Sequence, residues 1–210
     1  MGIAQSGVAF RPTNPIQDIQ AFISQLFGQS AVEIPHPNRG EFDIRNQGDV
    51  MVELFDDVCF ISNGDLVWEL LADPNADMKP LSRRLGSPAY LLAFCHYDSG
   101  GSFGYAVMEN GVRTRTRLQT ADIAELPPLI ESGEPQQFES AWLSATSYLE
   151  EDEDSPPEEW ERVYRLGDQE VTEDWLTAQM LGEGLEAIFG VCPWTTDATP
   201  TYHFFQLHSK

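Results

Sequence analysis

The sequence predicts an α+β fold, a predominantly antiparallel sheet of about six to eight strands with helices over residues 15–27, 138–149 and 172–189 against it, in one domain of 210 residues. Three patterns predict it. Apolar residues recur at helical spacing near both ends of the chain, short β-type runs separated by Gly-containing turns fill the middle, and one eight-residue stretch there is almost continuously apolar.

Taken in order, Asn14-Pro15 reads as an N-cap with proline at the first helical position, followed by Ile16, Ile19, Ile23, Leu26 and Phe27 and a stop at Gly28. Residues 50–55, 58–62 and 66–71 then read as strands, with Asn63-Gly64 as a hairpin turn. Pro80 opens a short basic helix through Arg83 and Arg84 to Gly86. The run 90–97 is nearly continuous in apolar side chains, which predicts a central strand covered on both faces. Turns at 98–101 and at Asn110-Gly111 lead into strands 103–108 and 112–118. In the latter, Arg113, Arg115 and Arg117 alternate with smaller residues, and the period of two predicts all three guanidiniums on one face. Helix 138–149, an exposed acidic loop at 150–161, a strand at 160–166, helix 172–189 and a strand at 202–207 complete the chain. Trp175, Leu176, Met180, Leu181, Leu185, Ile188 and Phe189 are the expected packing residues of the last helix, and Gly182 and Gly184 weaken it.

The formal charge is −22, and about −17 of it falls within 118–210, where 20 acids face three bases. Such a field repels phosphate backbones and anionic lipid and speeds encounter with a basic protein, so nucleic acid and membrane are not expected partners. Disorder is not expected either, because five Trp, 12 Phe and six Tyr supply a core. No 18-residue apolar run and no leader-like N-terminus is present, so a cytoplasmic protein is expected. Cys59, Cys95 and Cys192 are odd in number and widely spaced, and are expected reduced and buried. The opening Met1-Gly2-Ile3-Ala4-Gln5-Ser6 has the form of a myristoylation signal but no polybasic companion.

Residues 105–118, with Gly111, Arg113 and Arg115, followed by Gly133-Glu134-Pro135, Phe138-Glu139 and Trp142, resemble an uncharacterised bacterial protein family of unknown function. That family runs as an aromatic strand, a glycine turn, an arginine-bearing strand and Gly-Glu-Pro-Leu-x-Phe-Glu before a tryptophan. Gln136 and Gln137 replace its apolar pair, and the acidic loop is an addition. The resemblance implies a bacterial, intracellular origin and no reaction.

Four groups of residues invite a functional reading. His96 and Asp98 lie two apart at the end of the central strand, where a histidine beside a carboxylate is poised for proton transfer, although an Asp before Gly-Gly is also ordinary turn chemistry. Arg113, Arg115 and Arg117 form a possible anion site, against which stands pairing with the chain's own surplus carboxylates. Glu41, Asp43, Asp49, Asp56 and Asp57 lack the spacing of a calcium loop, and a solvated hairpin tip is expected at 56–57 instead. The acidic loop, with Glu150, Glu151, Asp152, Glu153, Asp154, Glu158 and Glu159 between Tyr148 and Trp160, has the composition of a docking surface with aromatic anchors. No metal or cofactor is expected. The leading expectation is a non-enzymatic binding protein of the immunity or antitoxin type, covering a basic partner such as a nuclease toxin. A small hydrolase using His96 and Asp98 with an arginine-lined anion site is the alternative, and a structural or regulatory module without a small ligand is a third. Oligomeric state is left open.

Overall fold

In the computed structural model, which describes residues 2–35, 37, 42–121, 123–151 and 156–208, the chain threads one large sheet through two packed layers of helix. Nine strands run in the spatial order β2 (Ser30–Glu33), β12 (Thr201–His208), β3 (Asp49–Phe55), β4 (Val58–Ser62), β1 (Ala4–Phe10), β5 (Tyr90–Tyr97), β6 (Ser102–Glu109), β7 (Val112–Gln119) and β8 (Leu129–Gly133). Every neighbouring pair is antiparallel. A second sheet orders β11 (Gln169–Thr172), β10 (Glu161–Leu166) and β9 (Thr146–Glu150). The predicted α+β class and antiparallel sheet are therefore what the chain adopts.

The central strands alternate between two cores because successive side chains leave a strand on opposite faces. Val8, Phe10, Ile61, Leu91, Ala93 and Cys95 join Ile23 and Leu26 of α1 (Ile19–Phe27), Leu71 of α2 (Trp68–Ala72) and Leu81 of α3 (Lys79–Arg84). Ala9, Phe60, Leu92, Phe94, Tyr105 and Val107 face the other way, against Trp142 of α4 (Ser140–Leu143) and Leu176, Met180, Leu181 and Leu185 of α5 (Glu173–Phe189). Strand 90–97 is covered on both faces, as its unbroken apolar run requires. The three cysteines are buried and free, and burial pushes the thiols of Cys59 and Cys95 far above their ordinary range.

Several elements differ from expectation. Helix α1 begins at Ile19 with Asp18 as its cap, Oδ1 accepting from the Ala21 amide at 2.9 Å; Gly28 ends it in the left-handed region as expected. Asn63-Gly64 makes no hairpin. The Asn63 side-chain Nδ2 donates to the carbonyls of Asn46, Gln47 and Asp49 at 2.9–3.2 Å, pinning a neighbouring loop, and residues 68–72 become helix. Helix 138–149 is replaced by a 3₁₀ turn, the four-residue α4 and strand β9. The Gln136–Glu139 capping box starts that helix, and β-type pairing of residues 146–150 with β10 ends it. Strands β1, β2, β8 and β11 were not expected. At α5, an added Cβ on Gly184 would lie 2.9 Å from the Phe138 ring, so this glycine lets helix and ring approach closely.

Candidate functional site

The arginine strand departs most instructively from its alternation. Pairing between β6 and β7 matches Val107 with Arg115 but Met108 with Arg113, so Thr114 is an extra, bulged residue. One inserted residue reverses the facing of everything on one side of it. Arg113 therefore points to the α2 layer, donating to the carbonyls of Leu70, Asp73 and Ala76 and from Nε to Thr116 Oγ1 at 2.7 Å. The expected three-arginine face does not form.

Arg115 and Arg117 do share the α5 face, buried and ion-paired. Arg115 straddles the buried Glu139 carboxylate at 2.8–3.0 Å and reaches Glu131 Oε1 at 2.5 Å. Arg117 donates to the same Glu131 oxygen and to Thr177 Oγ1, and Tyr105 donates to Glu139 Oε1 at 2.7 Å. Burial opposes the charge of Arg115, yet Glu139 and Glu131 hold its pKa above the ordinary value; burial likewise opposes the Glu131 charge, and Arg117 and Arg115 hold it down. The network is an internal lock in which both guanidiniums are paired with the chain's own carboxylates, as the surplus of acids leads one to expect.

His96 and Asp98 are brought together. Asp98 opens a 3₁₀ turn after β5, with Oδ2 accepting from the Ile3 amide at 2.7 Å. Its Oδ1 lies 2.9 Å from His96 Nδ1, close but off the line of a good hydrogen bond, and neither atom has another partner among the described residues. The ring is 4% exposed, and burial lowers its pKa against the opposing pull of Asp98, so the imidazole is neutral near pH 7. Nε2 has no hydrogen-bond partner there either and is not sealed from solvent. Cys95 lies in the opposite core, as the alternation requires.

His96 lies at the base of a cleft of about 920 Å³ between α5, strand β11 and the segment 194–195. Its walls are indoles: Trp194 sits 4.9 Å from the His96 ring centroid, Trp175 sits 6.5 Å away, and Trp175 in turn packs 4.9 Å from Phe103. Trp175 was expected to be a packing residue but is 45% exposed. Glu170, Glu183 and Glu186 supply the charge, and no Lys or Arg is among the described residues that line the cleft. Glu183 Oε1 accepts from Trp142 Nε1 at 2.6 Å and from Gln179 Nε2 at 2.9 Å, whereas Glu186 receives only a long contact, 3.5 Å, from Thr195 Oγ1. Thr172 Oγ1 is buried in the wall without a partner among the described residues. The positions 175, 179, 183 and 186 follow helical spacing, a stripe visible in the sequence beside the apolar one. Nothing in the sequence brings Trp194 or Glu170 to His96.

The acidic stretch adjoins this cleft through Glu170. Tyr148, partly exposed on β9, donates to Glu170 Oε1 at 3.2 Å, and the Arg165 guanidinium pairs with Glu170 while lying over the Tyr148 ring. Glu150, Glu151 and Glu158 are exposed and Trp160 is partly buried. Asp152, Glu153, Asp154 and the side chain of Glu159 lie outside the described residues, as does Glu41. Asp56 and Asp57 form the tip of the β3–β4 hairpin, Asp43 pairs with Arg45, and Asp49 accepts from Asn46 and from the Asp43 amide. Among the described residues no three His, Cys, Asp or Glu side chains are arranged to hold a metal ion, and no helix is long and apolar enough to cross a membrane. No family model matches this chain, and neither a curated protein nor a solved structure does.

Proposed function

We propose that the protein is a binding protein for a basic protein partner, which it engages through the cleft floored by His96 and the anionic face continuous with it. One observation carries this reading: a concave site lined by Trp175 and Trp194 and by Glu170, Glu183 and Glu186, with no Lys or Arg among its described lining residues and only Glu170 paired to a cation from outside it, Arg165. Indole faces and carboxylates both attract positive charge, and the global charge of −22 draws such a partner in. A toxin with a basic active cleft is the partner class favoured, in keeping with an immunity or antitoxin role.

The test compares capture from cells of origin by the parent protein and by a Glu183→Gln/Glu186→Gln variant, with retained proteins identified and the purified pair titrated by calorimetry. A basic protein lost with the variant supports the reading; partners held equally by both forms refute it. The second reading, hydrolysis, has one observation in its favour, the 2.9 Å His96–Asp98 contact. Such a site also needs a nucleophile and a donor for developing negative charge. The lining offers only neutral donors, the Thr172 and Thr195 hydroxyls and the Gln179 amide, beside three carboxylates that oppose developing negative charge.

A further inference from the structure

We propose that the group the cleft receives is an arginine side chain of the partner, in preference to lysine; this rests on the reading of the cleft as the basic-partner site. Three features of the lining lead to this choice, the first calling for a donor and the other two separating the two cations.

The first is the floor. A carboxylate oxygen 2.9 Å from Nδ1 selects the tautomer with its proton on Nδ1, because two facing lone pairs would repel. Nε2 is then an acceptor, aromatic-walled and unpartnered on a residue 96% removed from solvent. His96 is one of the residues that line the cleft, and an acceptor there that only solvent serves is open to a donor from a ligand. The ligand therefore brings an N–H to the floor.

The second is the walls. Two indoles line the cleft, with centroids 4.9 and 6.5 Å from the His96 ring and planes tilted 54° and 56° to it. A guanidinium is planar and weakly hydrated and stacks on indole faces, whereas an ammonium is compact and strongly hydrated and must shed more water to enter.

The third is the number of free acceptors. Glu186 is nearly unengaged, and Glu183 has one oxygen outside its bonds to Trp142 and Gln179. Together with Nε2 these supply several acceptors along the cleft lining, which matches the five donors of a guanidinium better than the three of an ammonium. The volume, about 920 Å³, holds the side chain with adjoining backbone.

The experiment titrates the whole protein with blocked Gly-Gly-X-Gly-Gly peptides in which X is arginine, lysine or citrulline. Tryptophan fluorescence and the ¹⁵N signals of His96 are read together. Arginine is expected to bind at least about tenfold more tightly than lysine, a difference of about 1.4 kcal/mol, and to shift Nε2; citrulline is expected not to bind. Trp175→Ala and Glu186→Gln, both at exposed positions, should each weaken the arginine peptide several-fold while the unfolding midpoint holds. Equal binding of lysine and arginine overturns the arginine choice and leaves the basic-partner reading standing. Equal binding of citrulline, or binding indifferent to both substitutions, overturns the cleft as a cation site.

Discussion

At the scale of single residues, two buried titratable groups on the α5 face act on stability with opposite signs. Glu53, 4% exposed on β3, accepts from Gln5 Nε2 at 2.8 Å, and burial raises its carboxyl pKa. A raised folded pKa means stability that is complete below about pH 4.3 and is lost as pH rises through the folded value. Glu53→Gln keeps an acceptor for Gln5 and removes the charge, so the variant should match the parent near pH 4 and exceed it at pH 7 in urea denaturation. His96 runs the other way. Its pKa is lowered, chiefly by burial, so its stability is complete above roughly pH 6.5 and drains as pH falls toward the folded value. The loss between pH 6.5 and 5 should be smaller in His96→Gln than in the parent. Arg115 makes the sharpest residue-level test. Its removal strands the fully buried Glu139, for which about 3–5 kcal/mol is expected; Arg115→Lys should rescue little, since an ammonium cannot span both carboxylate oxygens. A denaturation loss below about 1 kcal/mol for Arg115→Ala would show that Glu139 finds another partner.

At the scale of elements, α5 carries two glycines that differ in what surrounds them. Gly182 has nothing within 4 Å of an added Cβ, whereas Gly184 would meet the Phe138 ring at 2.9 Å. Gly182→Ala should therefore stabilise by up to about 1 kcal/mol through helix propensity, and Gly184→Ala should destabilise despite the same gain; thermal unfolding of both variants compares them directly. Strand β5 makes the complementary case, because the Phe94 ring is fully buried among Phe60 and Trp194, and Phe94→Ala should cost about 3–5 kcal/mol. The central strand, the extent of α5 and the stop of α1 at Gly28 were legible because each depends on residues adjacent in sequence. The bulge at Thr114 was not, since it is defined by which residue of β6 lies opposite. The same holds for helix 138–149, where cross-strand pairing outweighed a local apolar pattern. Of the site, His96 and Asp98 were legible as neighbours two apart. The indole walls were not, because Trp194 reaches the ring across nearly one hundred residues of chain.

At the scale of the whole molecule, the charge of −22 repels itself and attracts cations at once, and salt separates the two effects. Screening lengths fall from about 10 Å at 0.1 M to about 3 Å at 1 M, so added sodium chloride should raise the unfolding midpoint of the free protein. The same salt should slow its association with a basic partner, and neutralising Glu150, Glu151 and Glu158 to Gln should reproduce part of that slowing in stopped-flow traces. A midpoint insensitive to salt would mean that the carboxylates are spaced widely enough not to oppose folding. The sheet order has its own consequence at this scale. Strand β12 lies between β2 and β3, pairing Thr201 with Leu54 and Phe205 with both Val50 and Glu33. On the ribosome, β3 therefore emerges roughly 150 residues ahead of the strand that covers its outer edge, a wait of about 8–30 s at 5–20 residues per second. Throughout that interval Asp49–Phe55 presents open backbone amides and carbonyls to any passing extended chain, which makes the nascent polypeptide, not the finished protein, the form most exposed to aggregation.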